Sequence, residues 1–250
     1  PRPGRDARYR PVALPSAAFV HDAQVIADDL VLGLHPLIKT PGGLAWDDRR
    51  GSSTWLVARL DSDDEPTLAP VAPCFVWHGG WASSDSATLV MRAPVRPTPG
   101  LFAHERVLDP EIVAGVREWK LDHDARVVHE RQLTDDPSDF PVPFGDDLVV
   151  ALAGVFDGGP DYTRCSGVAL VGAKGESARR RHPAGTFGGE FRPVATLHGM
   201  VLMGLVVDSA DSSTALLVLD PADLSGSPLA TVRIPAVVPS GLHSAWLPDT

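Results

Sequence analysis

Residues 199–235 read "GMVLMGLVVDSADSSTALLVLDPADLSGSPLATVRIP", and this stretch decides the fold class. Two runs of Val and Leu and a third of β-branched residues are separated only by Asp, Ser, Gly and Pro. Strand-sized apolar runs bounded by turn formers predict strands joined by tight turns. The Asp220–Leu224 corner, Asp-Pro-Ala-Asp-Leu, has the chemistry of a chain reversal. Three strands in sequence, each returning on the last, predict an antiparallel meander.

Upstream, the pattern repeats. Apolar runs of similar size lie at residues 55–60, 72–77, 87–91, 126–133, 148–156 and 167–172. With 23 Gly and 24 Pro in 250 residues, long helices are excluded. The one helical candidate is Asp109–Val116, with Pro110 at its first position and Glu111 in its first turn. The chain is therefore expected to be all-β and a single domain, a sandwich, barrel or propeller. No WD-type repeat marks propeller blades.

Composition narrows the partners. A net charge of −10 argues against nucleic acid, because phosphate binding needs a basic surface. The only basic run, Arg179–His182, is expected to be a solvated loop. Cys74 and Cys165 are too few and too far apart for a disulfide scaffold or a cysteine zinc site, which suits a reduced, cytoplasmic protein. No apolar run reaches the roughly 18 residues of a spanning helix.

The chemistry rests on nine histidines. None shows His-Glu-x-x-His spacing, so a metal site must be assembled from distant positions. Three of them share a context. His21 in "AFVHDAQV", His78 in "FVWHGGWA" and His243 in "VPSGLHSAW" each follow an apolar segment at an expected strand end. Strand ends facing a propeller axis can bring distant imidazoles together, and imidazole suits iron, copper or zinc. His123, His129 and His182 sit in polar surroundings and read as solvated. His35 and His104 read as structural.

These contexts resemble the carotenoid cleavage oxygenase family. "VRIPAVVPSGLHSAW" is similar to the family's closing Pro-rich stretch that delivers the last iron ligand, with Leu242 in the Phe place. "AFVHDAQV" resembles its His-Asp-Phe stretch, with Ala23 in the Phe place. "FVWHGGWA" resembles its Phe-x-x-His-x-x-Asn-Ala stretch, with Trp81 in the Asn place. "REWKLD", "DFPVPFG" and "LLVLDPADL" fall in the family's order. The resemblance implies a seven-bladed β-propeller with Fe(II) on its axis, held by four histidines, of which His21, His78 and His243 would be three. It implies O2-dependent cleavage of a conjugated C=C bond in a carotenoid, apocarotenoid or stilbene-like phenolic, giving two carbonyls. It also implies an apolar substrate tunnel and peripheral membrane contact. Pro235 and Pro239 would stiffen the last strand's exit, and Ser240-Gly241 would turn it to present His243.

The pattern also departs from the family. Only twenty residues precede His21, so the first ligand is expected upstream of Pro1 and the chain is read as the C-terminal half of a longer protein. In the family, glutamates orient the ligand histidines. Asp139 stands in one Glu-Phe-Pro stretch, one methylene shorter, and reaches its histidine only if the backbone shifts. Thr196 stands in the Glu-Asp-Asp-Gly turn and carries no charge, with His198 as a possible substitute. Glu190, in "GTFGGEFRPV", reads as a structural turn carboxylate. Two other readings compete: a catalytically impaired propeller that binds a hydrophobic ligand or partner, and a zinc hydrolase on the same histidines, for which Asp22 is the nearest acidic group.

Overall fold

The structure is a computed structural model. It describes residues 11–14, 18–41, 43–47, 52–85, 88–97, 112–122, 124, 126–156, 158–236, 238 and 243–247. Four sheets follow one another along the chain, each an antiparallel meander. The first comprises β1 (Ala23–Ile26), β2 (Asp29–Leu34), β5 (Ser53–Arg59) and β6 (Thr67–Val71), with a hairpin of β3 (Leu37–Thr40) and β4 (Gly43–Trp46) inserted. The second comprises β7 (Trp81–Ser84), β8 (Thr88–Val95), β9 (Gly115–Asp122) and β10 (Val127–Thr134). The third comprises β11 (Ser138–Phe144), β12 (Asp147–Leu152), β15 (Gly167–Gly172) and β16 (Gly175–Arg181), with a hairpin of β13 (Gly154–Phe156) and β14 (Gly159–Asp161) inserted. In the fourth, β17 (Thr186–Gly188) and β18 (Arg192–Thr196) share the long β19 (Gly199–Asp208), which continues to β20 (Thr214–Leu219) and β21 (Ala230–Ile234). The expected all-β propeller architecture is present, as four successive blades.

Burial follows the blade logic. The third strand of blade three, β15, is buried along its whole length, whereas of the outermost strands β21 is largely exposed and β10 is half-buried to exposed. The core lies between blades. Trp55 of blade one meets Trp119 of blade two edge to face at 5.1 Å, within a cluster that includes Val31, Met91 and Leu121. Val116 of blade two joins Leu148, Val150 and Ala169 of blade three. Val149 and Val168 of blade three join Phe191, Leu202 and Leu219 of blade four. Gly204 belongs to the last interface by necessity, because a Cβ there would stand 2.7 Å from the Phe191 ring.

The 199–235 stretch folds as its pattern predicts. The Asp220 side chain caps the Pro221–Asp223 turn by accepting from Ala222 N at 2.8 Å. Other expectations are corrected. Residues 72–77 form no strand: only Phe75 pairs, in an isolated bridge to Arg96. The expected strand at 148–156 is broken at Ala153 into β12 and β13. The Asp109–Val116 helix is not found where it is described: residues 112–114 are irregular and Gly115–Val116 open β9, while Asp109–Glu111 lie outside the described residues. Arg179–Arg181 belong to β16, the outer strand of blade three, whose alternating burial leaves room for arginines on its solvent face. Cys74 and Cys165 are both buried and free. Among the described residues no helix is long and apolar enough to cross a membrane.

His129 is exposed, as expected, but His182 is buried. It stacks on Phe191 at 5.7 Å, and neither of its ring nitrogens has a hydrogen-bond partner among the described residues. Burial, then the charges of Arg180 and Arg181, push its pKa down to about 4. Burial does the same to His35, also to about 4, against hydrogen bonds to Cys74 and Val76 that act to raise it. Both rings fold neutral, so between pH 6.5 and 4 the unfolded chain binds more protons. Stability from these two groups is fully present above about pH 6.5 and is lost as pH falls to about 4, by roughly 3 kcal/mol for each. Urea midpoints at pH 7 and 4.5 measure this. His182→Phe is expected to fall less steeply than wild type over that interval, and equal slopes would count against it.

Candidate metal centre

A similar position recurs in each blade, at or just before the start of an early strand. His21 precedes β1 by two residues, His78 precedes β7 by three, Asp139 lies second in β11, and Glu190 precedes β18 by two. His243 follows β21 and arrives from the C-terminal segment. His104, His123 and residues 239–242, which include the expected turn at Pro239, Ser240, Gly241 and Leu242, lie outside the described residues.

The structure brings the three singled-out histidines together. The ring centroids of His21 and His78 are 5.1 Å apart, and those of His78 and His243 are 4.7 Å apart. His78 is thus the middle ring. Two aromatic residues wall the group: Trp77 lies edge-on to His21 at 4.4 Å, and Phe140 lies 5.2 Å from His78 and 5.4 Å from His243. A cavity of about 340 Å³ opens onto all three imidazoles and is also lined by Asp22, Phe140, Glu190 and Arg192.

The hydrogen bonds fix which nitrogen is bare. His21 Nδ1 is 3.0 Å from Trp77 O, and His78 Nδ1 is 2.8 Å from Asp139 Oδ1. A carbonyl or ionised carboxylate oxygen only accepts, so each Nδ1 carries the proton and each Nε2 keeps its lone pair. That is the arrangement of a metal-ligating histidine, whose other nitrogen donates to a carboxylate or carbonyl. Burial, followed by the charge of Arg96, pushes the His78 pKa down to about 4. Burial and then His78 itself lower that of His21. Both rings are therefore neutral, the form a metal requires. His35, by contrast, uses both nitrogens, on Cys74 O and Val76 N, and is structural as expected.

Asp139 reaches His78 from a bulged stretch of β11. The β11–β12 register slips between Asp139 and Val142, and Phe140 adopts a φ of 51°. A bulky residue in the left-handed region is strained. Phe140 N donates to Asp139 Oδ1 at 2.7 Å, so the bulge turns the carboxylate inward and holds it there. Its other oxygen, Oδ2, forms a buried ion pair with Arg96.

Thr196 is not part of this group. Its hydroxyl donates to Gly199 O at 2.7 Å and accepts from His198 N at 3.1 Å, closing the β18–β19 turn. It stands at the far end of β18 from Arg192, about 13 Å away along an extended strand. The carboxylate facing His243 is Glu190, read from sequence as a structural turn residue. Its Oε1 is 3.9 Å from His243 Nδ1 and 3.0 Å from Arg192, and its Oε2 accepts from Ser244 N at 2.6 Å. Arg192 Nε donates to Ser244 O at 2.7 Å. Glu190 and Arg192 together clamp the segment that carries His243. The usable signal is positional, since Glu190 lies two residues before β18, as His21 lies two before β1. Asp22 is occupied by backbone, accepting from Ala23 N at 2.8 Å and Gly79 N at 2.7 Å, which leaves it poorly placed as a general base.

The donor set fits a metal in kind, and two of its ring spacings, His21–His78 and His78–His243, are of the right size. Imidazoles binding one ion at about 2.1 Å in adjacent positions set their centroids roughly 4.6–5.3 Å apart. Among the described residues no group of three or more His, Cys, Asp and Glu stands close enough, as placed, to hold a metal ion. The fit therefore rests on ring spacing and on the bare Nε2 atoms.

The comparisons with known proteins bear on the fold and the family. No curated protein matches the sequence. Among solved structures, the Trp149Ala mutant of Synechocystis apocarotenoid oxygenase superposes with a TM-score of 0.76 at 16% identity, covering 94% of this chain and 54% of that one. Cobalt-substituted Synechocystis apocarotenoid oxygenase gives 0.77 at 15% identity, over 94% and 54%. A chimera of that oxygenase with RPE65 gives 0.75 at 15%, over 93% and 53%. The chain thus spans about half the length of these relatives, as a half-propeller reading of the sequence expects. The family model "Retinal pigment epithelial membrane protein" (RPE65) matches residues 2–248, and with four propeller blades around three neighbouring imidazoles, the chain belongs to that family, the carotenoid oxygenases.

Proposed function

We propose that the protein to which this chain belongs is a non-haem Fe(II) dioxygenase that cleaves a conjugated C=C bond of an apocarotenoid, carotenoid or stilbene-like substrate. The observation that carries this reading is the convergence of His21, His78 and His243, two of them with Nδ1 already committed to an acceptor. Fe(II) held there would supply O2 activation beside the substrate, both oxygen atoms ending in the two carbonyl products.

The chain's own residues do the rest. The Nε2 atoms of His21, His78 and His243 would hold the ion. Asp139 orients the His78 ring, and Glu190 faces His243 while fixing its segment through Ser244. Neutral imidazoles leave the ion's charge uncompensated and positions open for O2. Phe140 gives the cavity an aromatic wall on which a flat, apolar polyene could lie.

The test uses the protein made from its complete reading frame, loaded anaerobically with Fe(II). The expected result is one iron per chain and O2 uptake in step with aldehyde formation from an apocarotenal. His243→Ala should lose both. Stoichiometric iron retained in His243→Ala would remove His243 from the ligand set. A wild-type protein without iron or O2 uptake would overturn the dioxygenase reading.

A further inference from the structure

One buried cation next to the site has no part in the chemistry above. Arg96 is 1% exposed and directly follows β8. Its backbone N donates to Phe75 O at 2.9 Å, which fastens the segment that bears His78 three residues later. Its guanidinium pairs with Asp139 Oδ2 and lies over the Tyr162 ring, 3.8 Å from the centroid. The two carboxylate oxygens of Asp139 are thereby divided, Oδ2 to Arg96 and Oδ1 to His78 Nδ1 and Phe140 N.

This division matters because an aspartate on a bulged strand can rotate. A hydrogen bond from one imidazole and one amide, both to Oδ1, leaves Oδ2 free to swing. With Oδ1 held by His78 and Phe140 N, a guanidinium that holds Oδ2 anchors the second oxygen, and stacking on an aromatic ring fixes the plane of the guanidinium. Tyr162 comes from blade three and Arg96 from blade two, so the stack also ties the two blades together. We propose that Arg96 is a positioning residue: stacked on Tyr162, it locks the Asp139 carboxylate and, through it, the orientation and tautomer of the His78 ring. The orientation stands independently of any metal. Its consequence for metal affinity rests on the metal-centre reading above.

Two readouts on the full chain test this: nitrogen NMR of the histidine rings without metal, and optical titration with Co(II). Wild type is expected to show His78 only as the Nδ1–H tautomer. In Arg96→Met both tautomers should be populated, and Co(II) should bind about 10- to 100-fold more weakly, the usual cost of losing an orienting partner. Arg96→Lys keeps the charge but not the planar stack on Tyr162, so it should fall between the two. Adding Arg96→Met to Asp139→Asn should weaken Co(II) binding no more than about twofold further, since Arg96 acts through Asp139. A single His78 tautomer and unchanged Co(II) affinity in Arg96→Met would overturn the proposal. If that variant does not fold, the same result in Arg96→Lys would do so, as would fully additive losses in the double variant. Wild type that binds no Co(II), yet loses its Nδ1–H tautomer on Arg96 substitution, would overturn the metal reading and uphold the positioning role.

Discussion

Replacing His78 with alanine is expected to remove metal binding altogether. His78 is the middle ring, 5.1 Å from His21 and 4.7 Å from His243 by centroid, so its loss leaves two imidazoles with nothing between them. The effect should exceed the roughly 10- to 100-fold loss typical when only an orienting partner is removed. Asp139 retains Phe140 N and Arg96 as partners in this variant, so the fold should survive. Metal content after anaerobic Fe(II) loading, beside circular dichroism to confirm the fold, measures it. One iron per chain in folded His78→Ala would show that the three-histidine cluster is not the metal centre.

The largest effect on stability is expected from Glu118→Ala, at about 3–5 kcal/mol of destabilisation, because breaking a buried ion pair strands its partner. Glu118 and Arg92 are 6% and 5% exposed. Glu118 Oε2 accepts from Arg92 Nε at 2.7 Å, and Oε1 accepts from Arg131 Nε at 2.8 Å. Burial acts to raise the carboxyl pKa, yet the two guanidinium groups hold it below the usual range. The same arginines reach across to blade three: Arg92 donates to Asp146 O at 2.6 Å and Arg131 to Ala173 O at 2.7 Å. Trp81 lies under Arg92 at 4.3 Å and donates to Gly145 O at 2.9 Å. Glu118 therefore organises a clip that fastens blade two to two turns of blade three. Against a total stability of roughly 5–15 kcal/mol, its loss is large. Urea unfolding measures it, with Glu118→Gln expected in between. A Glu118→Ala midpoint equal to wild type would show that the clip adds nothing to blade packing.

The strands that sequence alone made legible are those where burial is one-sided or complete. Residues 167–172 form β15 with the expected bounds because both faces are covered and the run is apolar throughout. Strands with polar outer faces stayed hidden. β16 carries three consecutive arginines, Arg179 to Arg181, and its alternation has only one interior face to register. β11 contains Pro141 and Pro143, which argue against a strand, yet it pairs through a bulge that tolerates them. The apolar 72–77 run failed for the opposite reason: its centre, Cys74 to Val76, is buried by packing, and burial alone does not make a ladder.

For the site, sequence determined the residue types and their order: three histidines at strand ends, a shortened acid at Asp139 and no cysteine ligands. Only the tertiary structure decided which of them meet. Pairwise spacing along the chain carries no information when each group enters from a different blade. The distance from Thr196 to the site depends on which end of β18 faces the axis, and the role of Glu190 depends on where the segment bearing His243 comes to rest. Arg96 and Tyr162 belong to different blades and carry no motif, so their stack exists only once the blades pack. Local patterning sets strands because a strand's burial is written in its own residues. A site on an axis is set by the packing of blades, which no single stretch encodes.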